Sequence, residues 1–402
     1  MSFGPGSQTS LREANAVRVA ETVRKYGSIT QVELATATGL SAASISNIVK
    51  QLVGEGVLQV ENTVRSGRRA SLVSLVRPSG LLAGIHIGAR GATVAISDLN
   101  LQIQQRISLP LPVNHRADTT LDRVALMAAE LVERMGATPD ELLSVGVAIP
   151  EPIDPATGLP PIPGIFPGWE DTRVDYVLSK RLGRPVVVEN DANAAALAEA
   201  RIGGLRGVPA GLFICASYTT GAGLTIDGEL YRGTRGTAGE IGHVQVDPLG
   251  LICRCGGRGC LNTVGGAAVL TESLRLNRGE LTLSDLIALA KQGDVGCRQV
   301  ISDAGAMIGR VVADTAIALP PSKVIVGGEL AETGDVFLSP IREALASRPL
   351  LTGAVEVEPS ALGPDVELYG AMLLAGQEVE MNIATGGGND ATLTDETNGV
   401  GK

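Results

Sequence analysis

Aromatic side chains are scarce in this sequence: one Trp, five Tyr and four Phe stand among 402 residues. The core must therefore be built from Ala, Val, Leu and Ile. Ring stacking on a ligand is limited to a few positions, Phe166 and Trp169 among them. Long apolar runs are missing too. No uncharged stretch approaches the roughly 18 residues that span a bilayer, and Met1 to Ser10 lacks a basic start followed by a hydrophobic segment. The expectation is a cytoplasmic protein with no membrane partner. Cysteine is sparse at five and histidine at three, so any cluster of the two stands out.

What is abundant is glycine, at 51 residues, and acid: 43 Asp and Glu against 33 Lys and Arg, a net charge of −10. That balance argues against a nucleic-acid partner until it is split along the chain. Up to Arg77 the segment carries +4, and the remainder carries −14. A basic head on an acidic body suggests two functions in one chain.

The head reads as three helices and a hairpin. Leu11 to Tyr26 has Ala16, Val19, Ala20 and Val23 at helical spacing. Thr30 and Glu33 make a capping box for a second helix. After Thr38-Gly39-Leu40, Ser41 caps a third helix with Ile45, Ile48, Val49 and Leu52 inward. Strands at 57–61 and 71–76 flank a basic turn with Arg65, Gly67, Arg68 and Arg69. This is the pattern of a winged helix-turn-helix, whose second helix enters the major groove of double-stranded DNA. The residues pointed at DNA are Ser41, Ala42, Ala43, Ser44, Ser46, Asn47 and Lys50, with the wing arginines Arg65, Arg68 and Arg69 on phosphates or in a narrow minor groove. A three-helix bundle for protein contacts is the competing reading.

Beyond a linker at Pro78-Ser79-Gly80, strand-like runs at 84–88, 91–98 and 101–109 suggest a meander, followed by a helix with Leu121, Val124, Ala128, Leu131 and Met135 on one face. Strands at 142–149 and 185–189 lead into an Ala-rich helix, 191–202. The order then repeats, with strands at 211–217 and 223–231, a helix at 300–319 and a strand at 323–326. Two α/β lobes of one plan leave a cleft for a small ligand. The expected boundaries are a flexible arm at 1–10, the head at 11–77, lobes at 81–202 and 203–381, and a disordered tail at 382–402.

Two motifs carry chemistry. His243, Cys253, Cys255 and Cys260 supply one imidazole and three thiols, with a glycine-rich gap before the last. Such a set fills a tetrahedral structural zinc site with no open position; a reduced thiol cluster or a disulfide remains the alternative. Asn190 and Asp191 close a strand at a helix start, where they either meet a hydroxyl-rich ligand or cap the helix, and on spacing alone the cap is favoured. Glu240 has the same ambiguity between ligand acceptor and loop charge. Glycine turns at 84–91 and 219–223 lack the lysine and hydroxyl placement of a P-loop.

These motifs together resemble the ROK family of repressors, open reading frames and kinases. The resemblance runs from about Leu11 to Gly376 and is carried by Glu189-Asn190-Asp191-Ala192-Asn193, Gly239-Glu240-Ile241-Gly242-His243 and Cys253-Arg254-Cys255-Gly256 to Cys260. The head places the chain with the repressor branch, which includes xylose and N-acetylglucosamine repressors. The resemblance implies an α/β fold, a winged helix-turn-helix followed by a two-lobed actin-like ATPase body. It implies His243, Cys253, Cys255 and Cys260 as zinc ligands and Asn190, Asp191, Glu240 and His243 as contacts to a carbohydrate effector. Separately, a homodimer or homotetramer on an operator is expected, since a single small helix-turn-helix reads too little DNA for high specificity, and closure of the lobes on a ligand would reorient the paired heads.

Departures from the kinase branch are clear. Its first phosphate loop reads Asp-Ile-Gly-Gly-Thr-Lys, and here His86-Ile87-Gly88-Ala89-Arg90-Gly91 stands in its place. The second loop, Thr219-Thr220-Gly221, is altered as well. The expectation is no kinase activity; a sugar kinase with an appended head, or a regulator blind to effectors, are the alternatives. Around the sugar, Glu151 replaces the glycine of Pro-Gly-Pro, Ile165 precedes Phe166-Pro167-Gly168-Trp169 where asparagine is usual, and Asn262 replaces glutamate after the last cysteine.

Overall fold

The computed structural model describes residues 8–26, 28–54, 57–65, 68–75 and 80–384. They separate into two compact units, the chain through Ser79 together with the chain from Gln377, and Gly80–Gly376.

In the first unit, α1 (Gln8–Tyr26), β1 (Ser28–Thr30), α2 (Gln31–Thr38) and α3 (Ala42–Gly54) precede a hairpin of β2 (Leu58–Arg65) and β3 (Arg68–Leu75). α2 begins where the capping box predicts: Glu33 N–H donates to Thr30 Oγ1 at 3.3 Å, and Thr30 N–H to Glu33 Oε2 at 2.9 Å. Gly39, with φ 70°, ends it in the left-handed region that glycine tolerates. Ser41 Oγ accepts from Ser44 N–H at 3.1 Å and so opens α3. Ile45, Val49 and Leu52, one face of α3, close over Val19, Val23, Leu34 and Val73. The structure adds β1, too short to leave a periodic signal, which pairs with β3 to give the order β1-β3-β2. The hairpin strands are also longer than expected, leaving only residues 66 and 67 between them. The linker residues 76–79 lie outside the described residues.

The second unit holds two five-stranded sheets of the same plan. The first contains β4 (Leu81–Ile87), β5 (Gly91–Asp98), β6 (Ile103–Pro110), then α4 (Ala117–Arg134), β7 (Leu142–Ile149), α5 (Val174–Leu182), β8 (Val186–Asn190) and α6 (Asp191–Ile202). The second contains β9 (Ala210–Ala216), β10 (Thr220–Ile226), β11 (Glu229–Tyr231), then the helices α7 (Asn262–Gly265), α8 (Ala267–Arg278), α9 (Leu283–Lys291) and α10 (Val295–Ala318), followed by β12 (Lys323–Gly327), α11 (Asp335–Ala346), β13 (Glu356–Pro359) and α12 (Val366–Ala384). The orders are β6-β5-β4-β7-β8 and β11-β10-β9-β12-β13, each an antiparallel meander continued by two parallel strands.

The expected single strand 223–231 is two strands. Asp227 and Gly228, at φ 51° and 78°, form the tight hairpin turn between them. Likewise α12 runs to Ala384 across the expected start of the tail at 382; its residues from Gln377 belong to the first unit, where Ile383 packs on the head's core. The tail from 385 and the arm through residue 7 lie outside the described residues.

Composition explains how the lobes meet. α6 and α12 pack through Ala194, Leu197, Ala371 and Leu374. A Cβ on Gly370 would stand 1.9 Å from the Ala194 carbonyl oxygen, and one on Gly146 1.7 Å from that of Ala371. The alanine run of α6 is thus a close-approach surface, with its N-terminus beside the cleft. Among the described residues no helix is long and apolar enough to cross a membrane.

Candidate functional site

On the head, α3 turns Ala42, Ala43, Asn47 and Lys50 outward, with Ser44 and Ser46 half-buried. Ser41 is exposed but its hydroxyl is engaged at the helix start, lying 2.9 Å from Ser44 Oγ. Arg65 and Arg68 face each other as the last pair of the β2–β3 ladder, with Arg69 next to them. The arginine side chains, and Gly67, lie outside the described residues.

In the body, the loop after β11 brings His243 to the three cysteines. The four ligand atoms all lie within 4.8 Å of one another. Cys253 Sγ is 3.5 Å from His243 Nδ1, and Cys255 Sγ is 3.7 Å from Cys260 Sγ. A tetrahedral zinc centre separates neighbouring sulphurs by about 3.8 Å and sulphur from nitrogen by about 3.5 Å, given bonds of about 2.3 and 2.0 Å. The donor set and spacing are consistent with a zinc site, and no pair is at disulfide distance. Glycine makes the corner possible. A Cβ on Gly259 would sit 1.5 Å from the Asp247 carbonyl oxygen, and Gly256 takes φ 86°.

His243 uses Nδ1 toward this corner and points Nε2 toward Glu240 Oε2, 3.9 Å away. Asn190, Asp191, Glu240 and His243, from different elements, line one cleft of ≈1530 Å³. Asn190 does serve as the cap of α6, its Oδ1 accepting from Asn193 N–H at 3.1 Å, while also lining the cleft. Asp191 opens the same helix. Burial pushes its carboxyl up to about 7, with Glu329 adding repulsion. Burial and then Asp191 do the same to Glu240, also to about 7.

Sequence reasoning missed the support behind these groups. Glu189 is buried and accepts from Asn190 N–H and Asn193 Nδ2–H, both at 3.0 Å, and from Arg232 Nε–H at 2.5 Å. Arg232 belongs to the second lobe, so this ion pair ties the Asn190 corner across the cleft; nothing in local spacing announces a partner 43 residues away. Arg235 repeats the tie with Asp154 at 3.7 Å and the Pro161 carbonyl at 3.0 Å.

The departures acquire physical meanings. Asn262 Oδ1 accepts from Thr220 N–H at 2.7 Å, so it pins the second glycine turn instead of offering a carboxylate. Ile165 lines the cleft. Glu151 is fully buried. His86 lines the cleft where the resemblance expects an acid, and burial drops its imidazole to about 4, leaving it neutral. Glu329 and Glu367 line the same cleft, and burial pushes Glu367 up to about 8. Arg90 lies over the Tyr218 ring at 6.0 Å.

One expectation is corrected. Trp169 is 1% exposed and does not face the cleft. Its Nε1–H donates to the His115 carbonyl at 3.1 Å, and its ring stacks on Phe166 at 5.0 Å. Both rings belong to the first-lobe core, and of the two only Phe166 also lines the cleft.

A winged helix-turn-helix head and a two-sheet body with a polar cleft beside a thiol–imidazole corner are the architecture of a helix-turn-helix transcription regulator. The ROK family model matches residues 82–378, and a winged helix-turn-helix DNA-binding model matches 19–59; the chain belongs to the ROK family. It is 27% identical over 366 residues to the DNA-binding transcriptional dual regulator NagC of Escherichia coli K12, covering 86% of this chain and 89% of that protein. A crystal structure of a ROK family transcriptional regulator, a homolog of the E. coli MLC protein, superposes with a TM-score of 0.75 at 24% identity over 94% of this chain and 98% of that one. A ROK family glucokinase from Streptomyces griseus, solved with glucose and AMPPNP, gives 0.66 at 28% identity, covering 74% of this chain and 100% of its own.

Proposed function

We propose that this chain is a transcriptional repressor of carbohydrate metabolism that binds operator DNA through its head and a sugar-type effector in the body cleft. The observation that carries this reading is the convergence of Asn190, Asp191, Glu240 and His243 on one cleft, in a chain that also bears a winged helix-turn-helix. Carboxylates accept from vicinal hydroxyls, and the asparagine amide both donates and accepts, the pairing that a polyol needs. Zinc held by His243, Cys253, Cys255 and Cys260 supplies a fixed cross-link that immobilises the loop. His243 then offers Nε2–H to a sugar oxygen while Nδ1 faces the corner. The exposed α3 surface, with Lys50 and the wing arginines, reads and grips the duplex.

Phosphoryl transfer is not part of this function. It depends on positioned cations around the phosphates. Here a neutral His86 stands where the kinase branch has its metal-side acid, and Glu329 and Glu367 bring acidic side chains, not cations, to the same cleft. A single small head reads too few base pairs for operator-level affinity, so the active form is a homodimer or homotetramer.

A gel shift against genomic fragments, across salt and with a panel of sugars, tests the reading. Sequence-selective binding that one sugar weakens is expected, and Asp191→Asn should keep the DNA affinity while losing the sugar response. ATP consumption with common hexoses should stay at background. Absence of selective binding at moderate salt, or robust ATP turnover, overturns it.

A further inference from the structure

Five apolar side chains from three separate segments line the cleft beside its polar residues. Val113 follows β6, Ile165 and Phe166 precede α5, and Leu251 and Ile252 lie in the loop that carries the cysteines. Three of the five are well exposed: Val113 at 56%, Leu251 at 68% and Ile252 at 62%. Ile165 is half-buried. An apolar patch bordered by polar groups inside a cleft is the mark of a ligand surface.

The three segments meet at one place. Arg254 Nη2 lies 3.4 Å from Asn114 Oδ1, and a Cβ on Gly164 would stand 3.3 Å from the Arg254 carbonyl oxygen. Val113, Ile165 and Ile252 each stand within two residues of these contacts. The patch also adjoins the polar wall, because Cys253, which follows Ile252, has its Sγ 3.5 Å from His243 Nδ1. Its backbone is held: Gly259 N–H donates to the Leu251 carbonyl at 2.8 Å, and Cys253 N–H to the Gly257 carbonyl at 2.7 Å. Leu251 and Ile252 are therefore exposed on a fixed frame, so a ligand seated on them has little chain to order. Ile165 points the same way. Asparagine, the residue that the resemblance leads one to expect there, both donates and accepts, whereas isoleucine offers a hydroxyl nothing.

We propose that this apolar wall is a subsite for an aglycone, which makes the effector an alkyl or aryl glycoside and not a free hexose. This rests on the reading of the cleft as a sugar-type effector site. The sugar ring meets Asn190, Asp191, Glu240 and His243, and the apolar group on its anomeric oxygen lies against Val113, Ile165, Leu251 and Ile252. A free hexose, polar at every position, leaves that wall wet.

The test is calorimetric titration of the full-length zinc-loaded chain with the methyl, n-butyl and phenyl glycosides of glucose, galactose, xylose and N-acetylglucosamine, in both anomers, beside the free sugars. For at least one sugar the butyl or phenyl glycoside should bind about tenfold or more tightly than its methyl counterpart, the gain from burying about two methylene groups. In the double variant Val113→Ser/Leu251→Ser, and separately in Ile165→Asn, that ratio should fall to about threefold or less. Val113 and Leu251 are exposed, so the double variant should fold, and zinc content with thermal melting checks both proteins. Equal affinity for methyl and larger glycosides, or a preference that survives in both variants, overturns the aglycone subsite and leaves the effector cleft standing. No binding by any sugar or glycoside overturns both.

Discussion

The thiol–imidazole corner and the cleft beside it are both polar sites in the body, and they differ in closure. In the corner, four donors converge within 4.8 Å and leave no ligand position open. In the cleft, acidic side chains outnumber the arginines, and Asp191, Glu240 and Glu367 all have carboxyls raised by burial, as does Glu151 nearby. A closed polar site supports the fold, whereas an open one awaits a partner. The two are joined at His243, whose ring turns one nitrogen to each.

Breaking the corner should have the largest effect. Metal removal by a chelator, or Cys255→Ser, should cost on the order of several kcal/mol of local stability, because Gly256 to Gly259 hold their tight turns only around a common centre. Elemental analysis should read one zinc per chain in the wild type and a large loss in the variant. Trp169 fluorescence, a single reporter stacked on Phe166, should lose its response to effector. A correctly folded, metal-free wild type with intact effector response would refute the cross-link.

A smaller effect sharpens the contrast from the cleft side. Acids whose folded pKa lies above the unfolded value bind protons more tightly when folded. Their carboxyls therefore favour the fold fully below about pH 4, and this contribution is lost as pH rises toward 8. A tenfold gain in a carboxyl's proton affinity on folding corresponds to about 1.4 kcal/mol. Melting temperatures with saturating zinc should fall between pH 5 and 8 by less in Glu151→Gln than in the wild type. Parallel curves for the two proteins would show that Glu151 carries no such burden.

The smallest effect lies in the head, where no buried acid is left without a partner among the described residues. Ser41→Ala removes the α3 cap and should cost about 1 kcal/mol, read as a modest loss of melting temperature and of operator affinity. Loss of folding would mean that Ser41 does more than hold Ser44 N–H.

The head and the corner were legible in the sequence because their information is local. Thr30 with Glu33, Ser41 with Ser44, and the cysteines within eight residues act over a few bonds of chain, and backbone geometry does the rest. Even so, β1 and the Asp227-Gly228 turn escaped, since a three-residue strand has no period to detect. The two-lobed plan was legible from its repeated order of strands, and the cleft residues from their resemblance to a family. The state of those residues was not. Tertiary packing alone decided that Asn190 both caps a helix and lines the cleft, that Arg232 reaches Glu189, that Trp169 is filler, and that Glu151 is buried without a counter-charge. Hydrogen-bond satisfaction and desolvation are properties of what surrounds a side chain from distant parts of the chain. Composition and spacing determine which groups are present; only the folded surroundings determine which of them remain unpaired.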